Sequence, residues 1–129
     1  MNRLYNAPDD FEALIRILPF EEGGRRSAPF NGIRWDFTYA EDDPKDGLWV
    51  IWPDFTDTES NSLPRDRALP IGVEIPARMT ILNDELRIKV HQARVKVGTT
   101  FFCQEGPKRV AFGTVTKITG LFDDHAQKA

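Results

Sequence analysis

The sequence predicts a small all-β protein, a sandwich or closed barrel, on three observations. Apolar residues recur with a period of two in several short runs, polar turn residues separate those runs, and no window carries a convincing helical spacing. At 129 residues the chain fits a single domain. Its expected core spans about residues 10–122, and the stretch 123–129, with no apolar residue beyond alanine, is expected to fray.

The first strand signal is Phe11, Ala13, Ile15 and Ile17 alternating with polar Glu12 and Arg16. Pro19 stops that ladder, and Glu21 to Asn31 is a connection rich in Gly, Arg and Pro. Trp35, Phe37 and Tyr39 then alternate with Asp36 and Thr38, an aromatic strand face that the acidic run with Pro44 and Gly47 ends. Leu48 to Trp52 is the next strand candidate. Pro53 to Pro70, rich in Asp, Ser, Thr, Asn and Pro, reads as a long exposed loop and the most mobile segment.

Further along, Ile75, Ala77, Met79 and Ile81 alternate, Asn83-Asp84 offers a turn, and Leu86, Ile88 and Val90 alternate with Arg87, Lys89 and His91. Val95 and Val97 continue the pattern. The run Thr99 to Gln104 and the run Val110 to Thr119 form a hairpin about Gly106-Pro107, giving seven or so strands in all.

Composition narrows the function. Hydrophobic residues at 40% and charged residues at 29% match a globular chain, which argues against general disorder. The longest apolar runs fall well short of the roughly 20 residues that span a bilayer, so no membrane contact is expected. Met1 to Asp10 lacks the basic-then-apolar layout of a secretory leader, and one cysteine makes no disulfide framework, so a reducing cytoplasm is expected. With 17 basic and 20 acidic residues the net charge is −3, which offers no general attraction to phosphate backbones.

Catalytic and metal-binding patterns are not expected. His91, His125 and Cys103 make no zinc motif, and no nucleophile, base and orienting group can be assembled. Cys103, beside Phe101 and Phe102, reads as a small buried hydrophobe. Trp35, Trp49 and Trp52 read chiefly as packing residues, with Trp49 and Trp52 directed to opposite strand faces. No metal, cofactor or nucleotide is expected, and the chain is not read as an enzyme.

The best binding candidates are two loops. In Glu22-Gly23-Gly24-Arg25-Arg26, paired glycines free backbone N–H groups for an anion-cradling nest while two arginines supply forked donors. Glu105-Gly106-Pro107-Lys108-Arg109 repeats the chemistry, weakened by Pro107, which has no N–H.

Taken in order, three motifs resemble the third, C-terminal domain of translation elongation factor Tu. They are Glu22-Gly23-Gly24-Arg25-Arg26-Ser27-Ala28-Pro29-Phe30, Gly32-Ile33-Arg34-Trp35-Asp36-Phe37, and Glu105 to Ile118 with its glycine, two cations and small apolar residues. Gly72-Val73-Glu74 loosely matches the family's pre-strand segment, and His91 stands where the family has a histidine before its penultimate hairpin. The resemblance spans roughly Phe11 to Leu121 and implies a closed antiparallel β-barrel. Arg26 stands in place of a family histidine, Pro107 in place of a glycine, and the stretch 41–69 is lengthened. No G-x-x-x-x-G-K-[ST] loop occurs, so GTP hydrolysis is not expected.

By this resemblance the chain is a stand-alone binding module that contacts tRNA or a translation-related protein partner. Glu22, Gly23, Gly24, Arg25, Arg26, Arg34, Lys108 and Arg109 are the binding candidates. The alternative is a protein-interaction decoy or immunity-type protein, whose acidic inserted loop faces a basic partner.

Overall fold

A computed structural model describes residues 3–124. Six strands form one antiparallel sheet: β1 (Phe11–Ile17), β2 (Asp36–Tyr39), β3 (Ile51–Phe55), β4 (Glu74–Ile81), β5 (Thr100–Glu105) and β6 (Lys108–Ile118), in the order β2-β5-β6-β1-β4-β3. β1 owes its central place to strict alternation. Phe11, Ala13, Ile15 and Ile17 all point into the core, while its backbone pairs with β6 on one side and β4 on the other.

The curled sheet buries an aromatic core. Phe37 stacks on Phe101 with centroids 4.5 Å apart, and Phe11 meets both rings edge-on. Gly113, opposite Phe101 in the β5–β6 register, makes room for that ring: a Cβ there would lie 2.3 Å from it. The expected closed barrel is not formed. Among the described residues the outer strands β2 and β3 share no ladder, and the isolated bridge Phe37–Trp49 joins the two sides, so the sheet is an open half-barrel.

Two other expectations change. Residues 84–94 are helical, with α-helical ends (Asp84–Leu86 and Gln92–Arg94) around a π-helical turn (Arg87–His91), and not the strand suggested by Leu86, Ile88 and Val90. Asn83 is no hairpin turn but an N-cap, its side chain accepting from the Leu86 N–H. The inward face is Arg87, His91 and Val95, spaced four apart; two of the three are polar, so no apolar helical period shows, whereas Ile88 and Val97 are exposed. Arg87 and Gln92 both donate to the Leu121 carbonyl, which ties the helix to the end of the described chain.

The supposed exposed loop 53–70 begins as strand. Pro53, Asp54 and Phe55 belong to β3, which is shifted C-terminally from the expected Leu48–Trp52. Thr56 donates its N–H to Pro76 in β4, while Phe55 accepts on its other side from Leu63. By alternation the missing N–H of Pro53 therefore falls on the side away from β4 and costs no ladder bond. Asn31 then anchors the loop. It is buried, donates to the Phe55 and Leu63 carbonyls and accepts from the Phe55 N–H. Beside it lies a buried ion pair, Arg78 Nη2 to Asp54 Oδ2 at 3.0 Å, with the Ser62 hydroxyl bonded to both. His125 and most of the tail expected to fray lie outside the described residues. Among the described residues no helix is long and apolar enough to cross a membrane.

Candidate binding surface

Pro19 ends β1, and a short 3-10 turn, Phe20–Glu22, follows. Gly23, at φ +96°, closes that turn by donating to the Phe20 carbonyl, and Gly24 donates to the Pro19 carbonyl. The chain passes so close here that a Cβ on Gly24 would lie 1.9 Å from the Leu18 carbonyl oxygen. Both glycine N–H groups are thus satisfied inside the loop. The expected anion nest is not open; the glycines serve a tight turn.

The charged residues of this loop are held by partners within the chain. Glu22 takes a two-pronged contact from Arg16, Nη1 to Oε1 at 2.8 Å and Nη2 to Oε2 at 2.9 Å, which holds the Glu22 carboxyl below its usual pKa. Arg25 Nε reaches Glu105 Oε2 at 2.8 Å, and the same oxygen accepts from the buried Trp35 indole at 2.7 Å. One carboxylate oxygen therefore pins the first loop, the turn before β2 and the β5–β6 hairpin together. Glycine loops 80 residues apart in the sequence are neighbours in space, as two separate motifs could not reveal.

The remaining candidate arginines lie on aromatic rings. Arg26 covers Phe20 at 5.1 Å, Arg109 covers Phe102 at 4.1 Å, and Arg34 covers Trp52 at 4.3 Å. Phe102 meets Phe112 edge-on, Phe112 stands beside Arg16 across the β6–β1 register, and Arg16 leads through Glu22 back to the first loop. Arg109, Phe102, Phe112, Arg16 and Glu22 therefore form one continuous outer surface, with Phe20 and Arg26 in the adjoining turn. Lys108 is exposed at its edge and, among the described residues, takes no carboxylate partner. Arg34 belongs elsewhere: it points away from the buried Trp35 and lies at the β3 edge.

A second polar cluster escaped the sequence reading because the helix that carries it was read as a strand. Tyr39 Oη lies 2.6 Å from His91 Nδ1, Trp49 packs edge-on against the imidazole, and Arg94 covers the Tyr39 ring at 3.8 Å. Burial lowers the His91 pKa to about 4, with the Arg94 charge adding to the effect, and burial raises the Tyr39 hydroxyl well above its ordinary value. Tyr39 and a neutral His91 imidazole therefore share one buried hydrogen bond. Arg94 borders a cleft of about 240 Å³ with Tyr39, Glu41 and Thr100. Its charge is already met by Asp42, at 2.8 and 2.9 Å, and by Glu41 at 2.9 Å. The cluster has neither a free cation nor an accessible base.

No known family model matches this chain. Among the described residues no group of three His, Cys, Asp or Glu side chains converges as a metal would require. Cys103 is buried opposite Phe37, and burial pushes its thiol up to about 12.

Proposed function

We infer that this chain is a binding module akin to the third domain of elongation factor Tu, and that it engages a translation-related protein. The carrying observation is the Glu105 junction, which joins the two arginine loops beside the surface formed by Phe20, Arg26, Phe102, Arg109 and Phe112. Arginine and exposed aromatic residues are the types enriched where protein partners dock. The rings are already covered by guanidinium groups, which favours a protein partner over bases stacked on bare aromatic faces. The net charge of −3 also disfavours a polyanion. The decoy reading has less support, because Glu41 and Asp42 are neutralised by Arg94 and the 53–70 segment is anchored by Asn31.

The test is to immobilise the protein and identify translation factors retained from cell extract, then repeat with Arg26→Glu plus Arg109→Glu. Loss of a central anchor typically weakens binding by about 2 kcal/mol or more, roughly thirtyfold, so the double variant is expected to lose the factor, while Lys117→Glu keeps it. Steeply salt-dependent binding of bulk tRNA by the purified protein, abolished in the same variant, points instead to RNA. Retention of the factor by the double variant overturns the reading.

A further inference from the structure

The turn before β2 and the loop after β3 bring together a second arginine and aromatic group, separate from the surface above. The Arg34 guanidinium lies over the Trp52 indole at 4.3 Å, and Tyr5 packs against that indole with centroids 5.7 Å apart. The Arg65 guanidinium lies on the backbone at Gly32, two residues from Arg34, its nearest atoms 3.6 Å from where a Cβ would stand; Gly32 has φ +98°. Among the described residues neither arginine has a carboxylate partner, in contrast to Arg3, Arg16, Arg25, Arg78, Arg87 and Arg94, which all do. The Tyr5 hydroxyl is shielded from water and lies against Arg34, with Arg65 close enough to act on it through its charge.

We propose that Arg34 and Arg65, with Trp52 and Tyr5 packed behind Arg34, form a binding site for a phosphomonoester dianion carried on a phosphorylated serine or threonine of a partner protein. Contact with the Trp52 ring restrains the Arg34 fork, whose paired N–H donors suit two phosphate oxygens at once. Two uncompensated positive charges balance the dianion, where a phosphodiester would leave one unmatched. The shielded Tyr5 hydroxyl lies against Arg34 and helps to hold its guanidinium in place. Burial pushes the Tyr5 pKa up against the opposing charges of Arg34 and Arg65, which keeps the hydroxyl protonated at neutral pH. Asp54, whose charge also acts on Tyr5, is bonded to Arg78 and Ser62 and forms no ion pair with either arginine among the described residues. A net charge of −3 opposes the approach of a nucleic-acid strand more than that of one phosphorylated side chain, which favours a protein source.

The experiment is an NMR titration of the full chain. The Trp52 indole N–H and the Arg34 and Arg65 Nε–H signals are followed as inorganic phosphate, a phosphoserine peptide, its unphosphorylated form and a 5′-phosphorylated trinucleotide are added. Phosphate and phosphopeptide are expected to give saturable shifts at these signals and the plain peptide none. Affinity is expected to fall about tenfold from pH 7.5 to pH 5, because the second phosphate ionisation lies near pH 6. Arg65→Ala and Arg34→Lys are each expected to weaken the phosphopeptide by tenfold or more, on the scale of one lost charge-assisted bond, and Arg109→Ala to leave it unchanged. Unaltered spectra elsewhere show that the variants fold. Absence of saturable shifts, or wild-type affinity in both arginine variants, overturns the site; tighter binding of the trinucleotide than of the phosphopeptide overturns the protein source.

Discussion

Replacing Asp54 by Asn keeps the shape of the side chain and removes its charge, and the surroundings make that costly. Asp54 and Arg78 are 3% and 5% exposed, and the carboxylate accepts from Arg78, Ser62, the Leu4 N–H and Asn31. An amide in its place turns one acceptor oxygen into a donor facing donors, and removes the negative charge that Asp54 sets against the buried Arg78 guanidinium. Breaking one partner of a buried pair typically costs about 3–5 kcal/mol. For a chain of this size each kcal/mol moves the melting temperature by roughly 4 °C, so a fall of about 12–20 °C is expected. Circular dichroism melts and urea titrations of the two proteins measure it. The double variant Asp54→Leu with Arg78→Met, which removes both charges, is expected to recover most of the loss. A melting temperature within about 3 °C of the parent for Asp54→Asn would refute the reasoning, since it would mean that water already solvates the pair.

His91 sets a second expectation. The folded protein holds its pKa at about 4 against an ordinary 6.5, so between those values the unfolded chain binds a proton that the folded one does not. Stability is complete above pH 6.5 and falls as the pH drops toward 4, by up to roughly 3 kcal/mol; His91→Gln, which cannot titrate, should flatten urea-derived stability over that window. Gly24→Ala drives a methyl into the Leu18 carbonyl and is expected to cost about 1–3 kcal/mol in the same assay, whereas Gly106→Ala, which meets open space, pays only for its positive φ. Cys103 should resist a thiol reagent at pH 8 in the native protein and react at once in urea, because burial withholds the thiolate.

The sequence by itself determined the strands whose two faces differ. β1, β2 and β4 were legible because their inward residues recur with a period of two, and the β5–β6 hairpin announced itself through Gly106-Pro107 between two β-rich runs. The helical stretch 84–94 was hidden because Arg87 and His91 face inward, and only their bonds to Leu121 and Tyr39 make such burial tolerable. The segment after Pro53 looked like open loop because its buried members are Asp54, Thr56 and Ser62, polar groups that stay inside on partners supplied by Arg78, Asn31 and β4. At the candidate surface both glycine loops were visible, but their junction was not: Glu105 meets Arg25 and Trp35 only because the curl of the sheet closes a separation of 70 residues or more. Local periodicity is carried by neighbours in the chain, whereas the partner of a buried charge, and the gap that leaves this sheet open between β2 and β3, depend on distant strands and are decided only when the sheet curls.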